Sequence, residues 1–225
     1  MTLVEHKDLE QGSDEWLAAR RGIITASVVG QLITSSTLKV AANDKSRALV
    51  LSLVAERITG YTEPVVVSAD MQRGHDDEPL ARDLYGEHWG PATETGFLVR
   101  HEPGWTLGYS PDGMVGNDGL IEVKSRRQKK HLATILADEV PIENMAQIQC
   151  GLLVSGRKWC DYISYSGGMP MWVQRVAPSL AWFEAIIAAA KAFEKSAEEM
   201  VDTYLKAVEG LPETERTPDY EQIEF

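Results

Sequence analysis

Apolar side chains form five short β-like runs along the 225 residues and recur at three- and four-residue intervals over longer stretches. Short runs bounded by turn residues mark strands, and the three-to-four spacing marks amphipathic helices. The strand-like runs are residues 97–100, 105–109, 120–124, 159–165 and 171–176. Between them lie Pro103-Gly104, Gly116-Asn117-Asp118-Gly119 and Gly167-Gly168, all strong turn signals. The first three runs read as an antiparallel meander.

The helical stretches carry their own start and stop signals. Ser13 caps a first helix with acidic residues in its opening turn, and Gly22 terminates it after Arg20-Arg21. A second short helix starts near Thr25 to Ser27 and runs through Leu32. The polar run Thr34, Ser35, Ser36, Thr37 reads as a mobile loop. Asp44 then caps a helix carrying Leu49, Val50, Leu53, Val54 and Ile58, ended by Gly60. Residues 68–89 are helical in pattern, with Leu80, Leu84 and His88 on one face, but Pro79 allows either a helix starting there or a longer, kinked one. Residues 143–154 form a helix with Met145, Ile148, Leu152 and Leu153 on its apolar side, and Ser179 caps a long final helix.

Helices and strands in this order predict an α/β or α+β sandwich, a mixed sheet flanked by helices, as one domain over residues 1–210. After Gly210 the chain is acidic and proline-punctuated, and residues 211–225 read as a loosely ordered acidic tail. Cys150 and Cys160 lack the partners and spacing of a disulfide framework, a zinc site or an iron–sulfur cluster. No apolar run approaches the ~20 residues needed to cross a bilayer, so no membrane is expected and the reading is a soluble, cytoplasmic protein.

Charge changes the picture in one region. The net charge of −12 argues against a protein that coats nucleic acid through general basicity, yet residues 181–225 alone supply −7 of it. Lys124, Arg126, Arg127, Lys129 and Lys130 form a basic cluster directly after the 120–124 strand. A polyanion could approach there.

The candidate chemistry sits at that same place. Asp112, in Ser110-Pro111-Asp112-Gly113, follows the 105–109 strand, and Glu122 and Lys124 alternate with Ile121 and Val123, which puts Glu and Lys on one face. Asp112, Glu122 and the backbone carbonyl of Val123 are suitable magnesium ligands, and Lys124 could orient or deprotonate a water attacking phosphorus. Proton removal by Lys124 would require a depressed pKa, for which nearby metal ions would be the cause. The reaction class is phosphodiester hydrolysis. An ordinary turn followed by a solvated strand face explains the same residues equally well.

A wider set of motifs bears on that choice. Gln11-Gly12-Ser13-Asp14-Glu15-Trp16 with Arg20 through Ser27, then Gly74 to Glu78, Ser110-Pro111-Asp112-Gly113, Glu122-Val123-Lys124 and Met145-Ala146-Gln147-Ile148-Gln149 resemble, in order, the motifs of the phage lambda exonuclease family. This is the viral-recombinase, or alkaline exonuclease, branch of the PD-(D/E)xK nucleases. The resemblance implies a restriction-endonuclease-like sandwich with a central mixed sheet. It implies a Mg2+-dependent exonuclease, with two ions and Mn2+ able to substitute, that degrades the 5′-ended strand of linear duplex DNA. The products would be 5′-mononucleotides and 3′ overhangs for recombination by strand annealing.

Residue by residue, Asp112 and Glu122 match the metal-binding carboxylates, Lys124 the catalytic lysine and Glu78 a further helix-borne acid near the metals. Arg20, Ser27, Ser110 and Gln147 match the residues that hold the 5′ phosphate of the DNA end. The implied partners are double-stranded DNA ends, a single-strand annealing protein and two further copies of the chain in a homotrimer ring. Asn144 departs from the family's phage enzyme, which has a tyrosine there, and Pro79 beside Glu78 is a second departure. The rival expectations are an endonuclease of the same fold and a non-catalytic module that binds DNA ends. The five histidines are expected in structural roles, and the tryptophans in core or interface positions.

Overall fold

The structure, a computed structural model, describes residues 2–64 and 66–216. The elements in order are β1 (Thr2–His6), α1 (Asp14–Arg20), β2 (Ile24–Thr25), α2 (Ala26–Val29), a 3-10 turn (Gly30–Leu32), β3 (Ile33–Thr34), β4 (Lys39–Val40), α3 (Asp44–Thr59) and α4 (Ala69–Trp89). They continue with β5 (Phe97–Glu102), β6 (Trp105–Tyr109), β7 (Gly113–Val115), β8 (Gly119–Ser125), α5 (Gln128–Ala137), α6 (Ile142–Ser155), β9 (Trp159–Tyr165), β10 (Trp172–Val176) and α7 (Leu180–Ala207). The predicted mixed α/β class holds.

The meander does not. β5 and β6 form an antiparallel hairpin in a sheet ordered β1-β5-β6-β2, whereas β8 belongs to a second sheet ordered β10-β9-β8-β7. β2 runs parallel to β6, and β8 parallel to β9, so both four-stranded sheets are mixed. The chain leaves the first sheet at Tyr109 and enters the second at Gly113, and the Ser110-Pro111-Asp112 segment is that crossing. Proline, which cannot donate a ladder hydrogen bond, suits a point where pairing must stop.

Period two is obeyed strictly on β8. Ile121 and Val123 pack with Ile163 against Ala81 and Tyr85 of α4 on one face. Leu120 enters the main core on the other face, where α6 and α7 contribute Ile148, Leu152, Ile186 and Phe193. Glu122 and Lys124 continue that second face beyond the core. The buried side of α4 is Ala81, Arg82 and Tyr85, one position on from the predicted Leu80 face, and Leu80 is 56 % exposed.

Pro79 does not start α4. Ser68 caps the helix by accepting from the Met71 N–H, and the helix continues through Pro79 to Trp89. Its C-terminal half is anchored to the second sheet: Tyr85 donates to Asp161 Oδ2 at 2.7 Å, and Arg175 grips the same carboxylate from β10 with two bonds of 2.8 Å.

Other expectations need smaller corrections. Residues 34–37 are the tight turn of a β3–β4 hairpin, closed by Leu38 N–H donating to the Thr34 carbonyl at 2.8 Å. Asn43, not Asp44, caps α3 and forms a reciprocal capping box with Ser46. β1 and α5 carried no usable sequence pattern: β1 is a half-exposed edge strand, and α5 lies within the basic cluster. His131 is buried between Ser164 and the Pro170 carbonyl in a structural role, and both cysteines are buried and free. Of the acidic tail, residues 217–225 lie outside the described residues. No helix among the described residues is long and apolar enough to cross a membrane.

One close approach positions the functional region. A Cβ on Gly151 of α6 would lie 2.7 Å from the Tyr109 ring, so only glycine lets α6 settle on β6. Gln147 sits one turn earlier on the same helix. Gly151→Leu should therefore destabilise the protein by about 1–3 kcal/mol, read from urea unfolding, as overpacking at a rigid ring contact does.

Candidate active site

The site is built from the end of α1 inward. α1 stops where Gly22 adopts a left-handed φ of 65°, and α3 clamps that turn: Gly22 N–H donates to Glu56 Oε2 at 2.6 Å while Arg57 Nε donates to the Gly22 carbonyl at 2.7 Å. Arg20, the last residue of α1, is thereby aimed inward. Its guanidinium lies 3.8 Å from the centre of the Trp16 ring and donates to Ser110 Oγ at 3.4 Å, and Trp16 Nε1 donates to the same hydroxyl at 3.1 Å. Arg20 makes no ion pair among the described residues. Burial lowers its pKa to about 10, opposed by Glu56, so it remains cationic at neutral pH and lacks a matching anion.

The carboxylates gather at the crossing between the sheets. Asp112 Oδ2 accepts from the Val123 N–H at 2.6 Å, bonding β8 just past the point where its pairing with β7 ends at Gly113 and Ile121. In an extended strand a residue's N–H and C=O point to the same side. The Val123 carbonyl therefore faces Asp112 and not β9. Glu122 is fully buried, and Lys124 Nζ lies 2.7 Å from its Oε1 while donating to Gln147 Oε1 at 3.1 Å. Accepting from a donor-only ammonium fixes the amide of Gln147, whose NH2 is left to donate elsewhere.

Glu78 comes from α4 and is held by Arg82 one turn on, Nη2 to Oε1 at 2.9 Å; Arg82 also pairs with Glu94. Thr25 and Ser27 share a hydroxyl–hydroxyl bond of 3.0 Å. Arg20, Ser27, Glu78, Ser110, Asp112, Val123, Lys124 and Gln147 all line one cavity of about 320 Å3, and Glu122 lies directly beneath it. Every candidate residue read from the sequence is thus at this one place.

The electrostatics are those of too many carboxyls in too little water. Burial pushes Glu122 up to about 8 and, with Asp112 beside it, Glu78 up to about 7; burial raises Asp112 as well. Burial also disfavours the Lys124 ammonium, but Glu122 and Asp112 outweigh it and hold its pKa above the usual lysine value. The protein's own groups therefore do not depress Lys124, and a lowered pKa for a general base would have to come from added positive charge beside it.

The donor set fits a hard divalent cation. Glu122 is fully buried: its Oε1 has the Lys124 ammonium 2.7 Å away, and its Oε2 has no donor among the described residues. A buried carboxylate with one oxygen left unpartnered is costly unless a further cation or donor completes it. Among the described residues no three acidic, histidine or cysteine side chains are grouped into a metal cage. Two carboxylates and a backbone carbonyl suit an ion that keeps waters and takes substrate phosphate oxygens.

Comparison with known proteins places the chain in a family. Residues 15–158 match the YqaJ-like viral recombinase domain. The chain belongs to that family. YqaJ-like recombinase domains are nucleases, so the chain is an enzyme, and the membership agrees with the resemblance to the lambda exonuclease family. The fold also matches an alkaline exonuclease, LHK-Exo from Laribacter hongkongensis, at 31 % identity and a TM-score of 0.79 over 89 % of this chain and 100 % of that one. A structure of LHK-Exo in complex with dAMP matches equally well. A phage-related exonuclease from Haemophilus somnus shares the fold, with a TM-score of 0.64 at 13 % identity over 81 % of this chain and 96 % of that one. No curated protein sequence matches significantly.

Within this YqaJ-like site, sequence reading passed over two supporting residues. Trp16 and Arg82 each lie four residues from a site residue on the same helix, Arg20 and Glu78, and that spacing is the signal that could have found them. Asn144 has a different occupation from an open aromatic slot: it accepts from Arg126, which also donates to the Tyr162 hydroxyl at 2.9 Å. Arg126 and Lys124 are consequently turned inward, and only Arg127, Lys129 and Lys130 of the basic cluster remain exposed.

Because Glu78 and Glu122 hold protons near neutral pH, cation binding should displace them. Titration calorimetry with Mg2+ at pH 7 should show roughly one proton released per site, from the difference between buffers of unlike ionisation enthalpy, falling toward zero by about pH 9. Asp112→Ala should abolish the heat.

Proposed function

We propose that this protein is a Mg2+-dependent 5′-to-3′ exonuclease of linear double-stranded DNA that releases 5′-mononucleotides and leaves 3′ overhangs for recombination by strand annealing. The observation that carries the reading is the shared cavity: Arg20, which makes no ion pair among the described residues, lines it with Ser27, Ser110 and Gln147 beside Asp112 and Lys124, and Lys124 reaches the buried Glu122. An anion pocket beside a hydrolytic centre suits a substrate that presents a terminal phosphate one nucleotide away from the bond to be cut. The binding of dAMP, a nucleoside monophosphate, by LHK-Exo supports a product of that class.

In this reading Arg20 offers a planar pair of donors to the terminal phosphate, while the Ser27 and Ser110 hydroxyls and the Gln147 NH2 complete its coordination. Asp112, Glu122 and the Val123 carbonyl would hold magnesium, with Glu78 available to a second ion, and Mn2+ would substitute. When bound, magnesium supplies polarisation of the scissile phosphate and a lowered pKa for a coordinated water. Lys124, fixed between Glu122 and Gln147, orients the attacking water and stabilises charge developing on phosphorus. Trp16 and Ser110 keep the guanidinium of Arg20 in place.

The same reading includes a ring of three copies around the DNA and a single-strand annealing protein that receives the overhang. Light scattering should then give a mass three times the 24.9 kDa of the chain.

With Mg2+, linear 5′-phosphorylated duplex should be degraded to mononucleotides while closed circular DNA survives; cutting of circles would favour an endonuclease. Lys124→Ala should lower the rate at least ~100-fold with end binding retained. Arg20→Ala should remove most of the preference for 5′-phosphate over 5′-hydroxyl ends without changing the melting temperature by more than a few degrees. Equal rates on both ends with the unmutated protein would exclude the phosphate pocket.

A further inference from the structure

Two arginines converge on one carboxylate at the edge of the cavity. Asp70, in the first turn of α4, lines the same cavity as the candidate site residues. A single oxygen, Asp70 Oδ1, accepts from three guanidinium N–H groups: Arg73 Nη1 at 2.7 Å, Arg127 Nε at 3.0 Å and Arg127 Nη2 at 2.7 Å. These donors hold the Asp70 carboxyl below the usual carboxylate range. Arg73 is aimed by a further bond, Nε to Ser125 Oγ at 3.1 Å, and Ser125 in turn donates to Asp77 at 2.6 Å. Both arginines are therefore positioned at the end of β8, directly after Lys124.

The neighbouring helix makes the same point independently. α5 begins at Arg127 with no side-chain cap and no acidic residue in its first turn, and Lys129 and Lys130 stand there instead. Two lysines at the positive end of a helix oppose its dipole and are unfavourable in isolation. They become favourable where the helix N-terminus meets a polyanion. Several guanidinium donors converging on one oxygen is the arrangement that recognises phosphate, and an exposed carboxylate holds such a place only weakly.

We propose that Arg73, Arg127 and the start of α5 form a binding site for a backbone phosphodiester of the duplex next to the end being degraded, and that Asp70 fills this site in the free protein and is displaced by DNA. The proposal rests on the reading of the cavity as a DNA-end site. It assigns Asp70 as a stand-in for phosphate, so removing it should strengthen binding, whereas a merely structural latch would weaken it.

The test uses Lys124→Ala protein, which should bind without turnover, and a fluorescent 5′-phosphorylated duplex followed by anisotropy over a range of salt. Arg127→Ala and Arg73→Ala should each weaken binding for all sequences alike and reduce the slope of log K against log salt by about one. Asp70→Asn, and Asp70→Ala as a form with no acceptor, should bind about fivefold more tightly. Weaker binding by the Asp70 variants together with a lower melting temperature would make Asp70 a latch between α4 and α5 and overturn the proposal. Unchanged salt slopes in both arginine variants would also overturn it. If the Lys124→Ala protein binds no ended duplex, the DNA-end reading falls and this site falls with it.

Discussion

The hydrogen bond from the Val123 N–H to the Asp112 carboxylate holds the site together. It is made where two mixed sheets meet, by a residue that belongs to neither, and it bonds β8 beyond the last rung of its pairing with β7. A ladder that continued would have matched the Val123 N–H and C=O with another strand and left nothing for a ligand. Ending the ladder one turn early and capping it with a side chain keeps the strand ordered while its carbonyl stays free. The same bond brings Asp112 beside Glu122 and Lys124, which period two has already placed on one face.

Charge gives the cavity two poles. At one end three carboxyls, of which Glu122 is fully buried, share the ammonium of Lys124 and the guanidinium of Arg82, and burial raises the pKa of all three. At the other end Arg20 keeps its charge although burial weakens it. The first pole holds more carboxyls than cations, and at the second Arg20 has no ion-pair partner among the described residues. On the proposed reading a phosphorylated DNA end and a divalent cation would each reduce the cost of the charges that the other approaches, so affinity for the two should be linked.

Much of this was legible in the sequence, for identifiable reasons. Alternation through Leu120-Ile121-Glu122-Val123-Lys124 survives folding because both faces of β8 are covered, one by α4 and one by α6, so each residue has only one possible side. Caps such as Ser13 and terminators such as Gly22 and Gly60 act locally and were readable locally. The split between sheets was not, because it depends on which strands pair across the chain and not on any one run of residues. The tight hairpin at residues 34–37 looked like a loop for the same reason. The bonds Trp16 makes to Ser110 and Arg126 makes to Tyr162 join residues 94 and 36 positions apart, whereas a turn-by-turn reading reaches only four-residue neighbours such as Arg82 and Glu78.

Pro79 gives α4 an unusual mechanical character. Toward its C-terminus the helix is fastened to the second sheet through Tyr85 and Asp161, and toward its N-terminus it is tied to the end of β8 through Arg73, Asp77 and Ser125. Proline has no N–H, so the rung that would join residue 79 to the His75 carbonyl is missing, and the bending stiffness of the helix is lowest between its two anchors. Glu78 sits at that compliant point. A helix of uniform stiffness would resist a change in the distance from the acid to Asp112 equally along its length; here that resistance is lowest at the acid itself.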